Sequence, residues 1–186
     1  CQAGINTLGR IVEVVSGKPF QVFLAERLFA PLGMKDTTFY PNAAQRARLA
    51  TSYKRADGKL VPAALMPLID PARGDARYPA SNGGLFSTAP DYARLCQMLL
   101  NRGALDGRRY LSDEAVAQLS KVQSGDLKTG FTEGNGWGLG CCVVRDPQGV
   151  TEALSAGTFG HGGVYGTQAW IDPAKQVWLP TADAAT

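Results

Sequence analysis

The last third of the chain, from Gly136 onwards, divides into short apolar segments separated by tight turns. Segments of this length are typical of strands, and turns this short join antiparallel neighbours. The turns fall at Asp146-Pro147-Gln148-Gly149 and at Asp172-Pro173-Ala174-Lys175. The pattern therefore predicts an antiparallel meander, with strands over residues 137–145, 152–159, 165–172 and 176–180.

Helical periodicity dominates the chain before Gly136. Apolar residues recur at three- and four-residue intervals in four segments, residues 5–16, 20–29, 92–100 and 113–119. Ser87 or Thr88 is suited to cap the third helix and Ser112 the fourth, and Asp57-Gly58 predicts a hairpin turn. Because helices come first and strands last, without βαβ alternation, we predict an α+β fold with an antiparallel sheet flanked by helices. No linker or internal repeat divides residues 1–186, which we predict to be one domain.

The composition excludes several classes of function. With 45% hydrophobic and 19% charged residues over 186 positions, the chain can bury a sizeable core. The net charge of +3 is small and no run of Lys and Arg occurs, so nucleic acid is not an expected partner. No apolar run approaches the roughly 20 residues that cross a bilayer, so we expect no membrane segment.

The four cysteines, Cys1, Cys96, Cys141 and Cys142, follow no zinc-binding spacing. With a single histidine in the chain, a Cys/His metal site is not expected. We predict that all four are free thiols and that no metal or organic cofactor is required.

The only histidine lies between glycines in Phe159-Gly160-His161-Gly162-Gly163, just before the strand predicted to begin at Tyr165. Glycines let another molecule approach the backbone closely. An imidazole can donate or accept a hydrogen bond, or take up a proton near neutral pH. The alternative is a turn at a strand edge in which His161 makes only a local hydrogen bond, and this segment alone leaves both interpretations open.

Common hydrolase motifs are absent from the sequence. No G-x-S-x-G elbow occurs, which argues against an α/β-hydrolase, and no S-x-x-K occurs either. Lys128-Thr129-Gly130 matches the K-T-G box of penicillin-recognising enzymes, but it lies in a polar loop before Gly136. We interpret it as a chance match of three residues.

Five collinear segments of the chain carry a shared pattern. They are residues 1–17, Pro31-Leu32-Gly33-Met34-Lys35-Asp36-Thr37-Thr38-Phe39, Gly83-Gly84-Leu85-Phe86-Ser87-Thr88-Ala89-Pro90-Asp91, Gly136-Trp137-Gly138-Leu139-Gly140 and Phe159-Gly160-His161-Gly162-Gly163. Together they resemble the C-terminal part of the serine hydrolases related to class C β-lactamases and penicillin-binding proteins, a family that includes esterases and D-amino-acid peptidases. Residues 1–17 are similar to the stretch from the family's Y-x-N box into its helix, and residues 159–163 resemble its third box in the H-x-G form.

This resemblance implies a β-lactamase/transpeptidase-like fold of which residues 1–186 are a single partial domain. The family's N-terminal strands and nucleophile helix are missing, so we expect an uncovered sheet edge and an uncovered apolar face. The nucleophilic Ser and the Lys of S-x-x-K, and the Tyr of Y-x-N, would all precede Cys1. We therefore predict that this chain alone is inactive and prone to aggregation.

The resemblance also assigns catalytic positions. His161 stands where the third box has Lys, and would supply a proton or positive potential near the substrate. The backbone N–H of Val164 would be one oxyanion donor. Gln2 stands where the Y-x-N box has Asn, and would hydrogen-bond a substrate carbonyl or orient the missing Lys. A frayed chain end is the alternative interpretation for Gln2.

Three further residues are implied as substrate-binding. Gly163 would let the strand edge lie against the substrate, and Tyr165 would line the pocket, although ordinary packing also explains Tyr165. Gly162 stands where many family members have Thr or Ser, so the hydroxyl that helps to hold a β-lactam carboxylate is missing. Trp137 and Trp170 fit ordinary sheet packing.

The sequence thus predicts that the parent protein is a serine hydrolase with an acyl-enzyme intermediate, acting on a small-molecule ester, amide or β-lactam. Esterase or D-amino-acid peptidase activity is favoured over β-lactamase activity because of Gly162. The alternative is a catalytically dead homologue that acts as a binding or scaffolding module. Family members are often exported, but the sequence itself indicates no compartment.

Overall fold

A computed structural model of the chain describes residues 2–66, 70–127 and 133–182. The K-T-G match at residues 128–130 and Cys1 lie outside these ranges. The chain forms two compact units, one including Cys1–Tyr92 and the other Ala93–Asp183. None of the helices in the three ranges is both long enough and apolar enough to span a bilayer.

The first unit begins with the two predicted helices. Helix α1 spans Gln2–Ser16 and ends at Gly17, whose φ of 68° is left-handed. Helix α2 spans Phe20–Leu24, continues through a π-helical turn at Ala25–Phe29, and ends as α3 at Ala30–Leu32. The π turn is explained by Pro31, which cannot donate a backbone hydrogen bond and whose ring would clash with the carbonyl of an α-helical turn.

The exposed face of α1 is apolar. Five of its large side chains are between 44% and 82% exposed, namely Ile5, Leu8, Ile11, Val14 and Val15. On an amphipathic helix these positions are ordinarily packed against another element. The expectation of an uncovered apolar face is thus confirmed for α1.

Two of the segments that carry the family resemblance are joined within the first unit. Thr38 and Phe86 form an antiparallel bridge with hydrogen bonds of 2.9 and 2.8 Å. The buried Asp91 accepts hydrogen bonds from the Asp36 N–H at 2.7 Å and from the Thr37 hydroxyl at 2.9 Å. These contacts hold residues 36–38 against the segment that leads into the next long helix.

Short elements complete the first unit. Helix α4 covers Ala43–Arg46, and a 3-10 helix covers Pro71–Ala76. Strands β1, Tyr53–Ala56, and β2, Lys59–Pro62, form the predicted hairpin. Its turn residues Asp57 and Gly58 both have positive φ, 50° and 74°, as a type I′ turn requires.

The helices of the second half have the predicted caps. Helix α5 spans Ala89–Leu100, and the Thr88 hydroxyl accepts the Asp91 N–H at 3.3 Å. Helix α6 spans Asp113–Ser120, and Ser112 accepts the Ala115 N–H at 3.1 Å. Between them lies a small hairpin of β3, Ala104–Leu105, and β4, Arg108–Arg109.

The second unit is built on a five-stranded antiparallel meander in chain order. Its strands are β5, Asn135–Trp137; β6, Cys142–Val144; β7, Phe159–Gly162; β8, Thr167–Asp172; and β9, Val177–Ala182. Val143, Phe159 and Ile171 are buried against Cys96 of α5. The predicted meander and mixed α+β class are confirmed, and β9 is an edge strand of this sheet, as expected.

Strand boundaries differ from the prediction in three places. The strand predicted over residues 137–145 is two strands, β5 and β6, because Gly140 has a φ of 85° and reverses the chain. The strand predicted over residues 152–159 is mostly turns, with Gly157 at a φ of 87°. His161 lies within β7 rather than before the next strand, and β8 begins at Thr167 instead of Tyr165.

The three described cysteines, Cys96, Cys141 and Cys142, are free thiols, as predicted. Burial raises the pKa of Cys96 and of Cys141 to about 11. Such thiols stay protonated and unreactive near neutral pH.

Strands β7 and β8 approach so closely that two glycines of β7 and its loop have no room for a side chain. A Cβ on Gly160 would lie 2.0 Å from the Ala169 carbonyl oxygen, and one on Gly163 would lie 2.2 Å from the Thr167 hydroxyl. At Gly162 the nearest atom, Cγ of Gln168, is 3.9 Å away. Packing therefore requires glycine at 160 and 163 but not at 162.

A buried carboxylate closes the turn between β8 and β9. Asp172 accepts hydrogen bonds from the backbone N–H groups of Ser155 and Lys175, both at 3.0 Å. Burial raises the pKa of Asp172, but the accepted hydrogen bonds outweigh this, so that its pKa lies below the ordinary value of 3.8. The ionised form therefore stabilises the fold.

We predict that Asp172→Ala lowers the free energy of unfolding by about 1–3 kcal/mol at pH 7, because two part-buried N–H groups lose their acceptor. A depressed folded-state pKa gives stability that is present above the ordinary pKa and lost as the pH falls through the folded value. Urea denaturation should therefore show the difference from wild type shrinking below about pH 4. Asp126→Ala, at a fully exposed carboxylate, is the control, and an equal loss in both variants would contradict the role of Asp172.

The close packing of β7 and β8 is tested by the same substitution at two glycines, one crowded and one with room. Gly160→Ala should destabilise the protein by about 1–3 kcal/mol, because its methyl group meets backbone atoms of β8 that cannot move independently. Gly162→Ala should change stability by no more than about 0.5 kcal/mol. Urea midpoints of the two variants measure this, and similar midpoints would show that the register of β7 and β8 is not as described.

Candidate functional site

Five of the six predicted site residues lie on the β7–β8 hairpin. His161 and Gly162 end β7, and Gly163, Val164 and Tyr165 lie in its loop. The Gly166 N–H donates to the Gly163 carbonyl at 3.1 Å, and Gly166 has a φ of 74°. The Gly163 N–H donates to the Thr167 carbonyl. This is the three-residue hairpin loop with a type I turn and a left-handed glycine.

One edge of β7 is open beyond Gly160. Strand β6 pairs with β7 only at Phe159 and Gly160, whereas β8 pairs with it as far as Gly162. Successive residues of a strand direct their N–H and C=O groups to opposite edges. The Gly163 N–H points to β8. The N–H and C=O groups of Gly162 therefore point to the opposite edge, where the described residues provide no strand partner. We call residues 162–164 along this side the open edge of β7.

Val164 lies at the end of the open edge. The residue is 72% exposed, and its N–H has no hydrogen-bond acceptor within the described residues. An unpaired backbone N–H on an exposed loop can donate a hydrogen bond to an anionic oxygen. This is the property that the predicted role of Val164 requires, although the role itself remains a prediction.

The side chain of His161 is exposed and makes two contacts. Its Nδ1 is hydrogen-bonded to the Gly162 carbonyl oxygen. Its ring also packs against Trp137, with ring centroids 5.0 Å apart and planes tilted by 60°. These two contacts hold His161 beside the start of the open edge. A histidine that only makes a local hydrogen bond in a turn does not require the second contact.

Trp137 is the site neighbour that sequence reasoning missed, because we assigned it to ordinary sheet packing. It ends β5, and its N–H donates to the Ser124 hydroxyl at 3.0 Å. The signal was present in Gly136-Trp137-Gly138, since a tryptophan between two glycines indicates a backbone held too closely for side chains on either side.

The sixth predicted residue, Gln2, belongs to the first unit. Its backbone begins α1, and its side chain lies outside the described part of the chain. The predicted role of Gln2 therefore remains a prediction.

The loop before Gly83 is bound to α1. The Ser81 hydroxyl donates to the Ile5 carbonyl at 2.7 Å, and the Asn82 N–H donates to the Asn6 side-chain oxygen at 3.2 Å. A Cβ on Gly9 would lie 2.5 Å from the Ser81 hydroxyl oxygen, so the glycine allows this contact. The first turns of α1 are thus fixed by contacts within their own unit.

Within the described ranges no group of three His, Cys, Asp or Glu side chains is placed to hold a metal ion. The groups at and beside the open edge are backbone N–H and C=O groups and the imidazole of His161. Together they can stabilise negative charge and exchange a proton.

Comparison with known proteins identifies the fold and family. Protein Rv1367c of Mycobacterium tuberculosis is 34% identical over 187 residues, which are 94% of this chain and 46% of that protein. Penicillin-binding protein 4 of Amycolatopsis lactamdurans is 34% identical over 173 residues, covering 90% of this chain and 41% of that protein. The chain therefore spans less than half the length of these curated relatives.

A solved structure shows the same fold. EstCE1, described as a hydrolase with promiscuous acyltransferase activity, superimposes with a TM-score of 0.79 at 25% identity, over 98% of this chain and 50% of that protein. The family model described as Beta-lactamase matches residues 1–179. The match includes the α1 segment, both joined segments of the first unit and the β7–β8 hairpin, so the chain belongs to the Beta-lactamase family.

Proposed function

We propose that this chain is the C-terminal part of a serine hydrolase that works through an acyl-enzyme intermediate on a small-molecule ester or amide. The observation that carries the proposal is the open edge of β7, where the exposed His161 and the unpaired Val164 N–H stand on one hairpin of a Beta-lactamase family chain. Both compact units then belong to one partial domain, which the preceding part of the full-length protein completes.

The proposed reaction has two steps. A serine from the preceding part of the protein passes its proton to the Lys of S-x-x-K and attacks the substrate carbonyl, and the Val164 N–H, with the N–H of that serine, stabilises the oxyanion. The alcohol or amine leaves with that proton, and water then hydrolyses the acyl-serine bond, which releases the acid and restores the serine hydroxyl. His161 supplies a proton or positive potential beside the substrate, and Gln2 hydrogen-bonds its carbonyl or orients the catalytic Lys.

The substrate preference follows from Gly162. The position is exposed, and a Cβ there would lie 3.9 Å from Cγ of Gln168, an ordinary contact distance, yet the glycine carries no hydroxyl to bind a substrate carboxylate. Esters, or amides of D-amino acids, are therefore proposed ahead of β-lactams. The hydrolase and acyltransferase description of EstCE1 supports acyl transfer in this fold.

The second candidate is a catalytically dead homologue that binds a ligand or a partner. Two features favour it, namely Gln2 in place of the second box's Asn and Gly162 in place of the third box's Thr or Ser. An S-x-x-K motif upstream, followed by Tyr directly before Cys1, would exclude it. Replacement of that Ser or Lys would favour it over the hydrolase.

We predict that the full-length protein hydrolyses p-nitrophenyl acetate with a burst, and that mass spectrometry detects an acetylated serine in S-x-x-K. His161→Ala should lower kcat/KM by about 10²-fold, because a positioned proton donor is lost. Asp126→Asn, at an exposed site, should leave the rate unchanged. Residues 1–186 alone should turn over the ester no faster than the same chain carrying His161→Ala. Faster turnover by residues 1–186 would contradict a nucleophile located upstream.

A second prediction concerns specificity. Gly162→Thr should fold normally, because the position has room and threonine suits a strand. The new hydroxyl should raise kcat/KM for a carboxylate-bearing β-lactam, measured with nitrocefin, by about 10-fold relative to p-nitrophenyl acetate. Gly162→Val has nearly the same shape without the hydroxyl and is the matched control. The same gain in both variants would mean that the hydroxyl is not responsible.

A further inference from the structure

Two different contacts constrain the His161 ring. The Gly162 carbonyl oxygen is bonded to Nδ1, and the Trp137 indole packs against the imidazole with its centroid 5.0 Å away. The other ring nitrogen, Nε2, has no partner within the described residues. The two nitrogens of this exposed side chain are therefore in different environments.

The hydrogen bond to Gly162 determines which nitrogen carries the proton. A carbonyl oxygen can only accept, so Nδ1 must donate. In the neutral imidazole one nitrogen is protonated and the other has a lone pair. With Nδ1 protonated, Nε2 is the basic nitrogen of the ring, and it becomes a second donor when the ring is charged.

The backbone of Trp137 is held on several sides, so it cannot easily move away from His161. Its carbonyl accepts the Gln123 N–H at 2.6 Å, and its own N–H donates to Ser124. A Cβ on Gly136 would lie 2.8 Å from Cγ1 of Val122, and one on Gly138 would lie 2.2 Å from the Leu119 carbonyl oxygen. Strand β5 is therefore pressed against residues 119–124, which fixes the position from which the indole extends.

We propose that Trp137 is a positioning residue that, with the Gly162 carbonyl, holds His161 in the tautomer with Nδ1 protonated. Nε2 is then the atom that meets the substrate: it accepts a proton from it when neutral, and donates a hydrogen bond to its leaving oxygen or acidic group when charged. The role toward the substrate rests on the proposed hydrolase function. The tautomer and the effect of Trp137 on it do not, so the two are tested separately.

The tautomer is measured by NMR on the full-length protein labelled with ¹⁵N-histidine. A long-range ¹H–¹⁵N spectrum distinguishes protonated from unprotonated ring nitrogens, and the signals of His161 are those that disappear in His161→Gln. At the alkaline end of a titration we expect Nδ1 to be protonated and Nε2 unprotonated. Protonation of Nε2 in the neutral ring would overturn the proposal.

The contribution of Trp137 is tested with three variants. In Trp137→Leu the ring should sample other orientations, so that the Nε2-protonated tautomer appears. Trp137→Phe keeps an aromatic ring and should retain most of the wild-type signal. Trp170→Leu removes a half-buried tryptophan of the same sheet and should retain it fully. Thermal melts identify variants that fail to fold, and Trp137→Phe still reports on the ring contact if Trp137→Leu is unstable.

Catalysis gives the independent readout. With p-nitrophenyl acetate, Trp137→Leu should lower kcat about 10-fold with little change in KM, because a misplaced group mainly affects the chemical step. Trp137→Phe should restore most of kcat. Equal losses of kcat in Trp137→Leu and Trp170→Leu, or an unchanged tautomer in Trp137→Leu, would overturn the positioning role. Absence of turnover by the wild type would refute the proposed hydrolase and the role of Nε2 toward substrate. The NMR measurement would still decide whether Nδ1 carries the proton and whether Trp137 maintains that tautomer.

Discussion

The pairing of β7 with β8 holds the candidate site together. It continues past the point where β6 ends, so that one side of β7 is satisfied by β8 and the other is open after Gly160. The two strands lie so close at Gly160 and Gly163 that neither position has room for a side chain. A register shift of one residue would place His161 on the other face of the sheet, so the open edge and the position of the imidazole depend on the same contacts.

A second close approach, between β5 and residues 119–124, places Trp137 against His161. In both the β7–β8 pairing and the contact of β5 with residues 119–124, glycines allow neighbouring atoms to come nearer than a Cβ would permit. Glycine-rich segments of this kind are easily interpreted as flexible loops. Here the glycines at 136, 138, 160 and 163 allow close packing, and Gly162 is the one in the His161 segment where packing leaves the residue type open.

Local chemistry explains which elements could be predicted from the sequence. Caps such as Thr88 and Ser112, the Asp57-Gly58 turn and the apolar period of α1 involve residues within a few positions of one another, and all were found as predicted. The division of residues 137–145 into two strands was missed, because Leu139 and Gly140 do not interrupt the apolar pattern and only the left-handed Gly140 reveals the reversal. His161 was recognised as a candidate from its glycines and from family resemblance, whereas Trp137 was not, because its contact with His161 joins residues 24 positions apart.

The sequence by itself determined the α+β class, the antiparallel meander, the family resemblance and the six candidate site residues, because each depends on residue types at short or collinear spacing. Only the tertiary structure decided that β7 has an open edge, that Gly162 has room for a side chain while Gly160 and Gly163 do not, and that Trp137 and the Gly162 carbonyl constrain the two sides of His161. These features depend on distances between backbone segments far apart in the chain. Such distances are set by strand register and by how closely neighbouring segments pack, which residue order along a single strand does not specify.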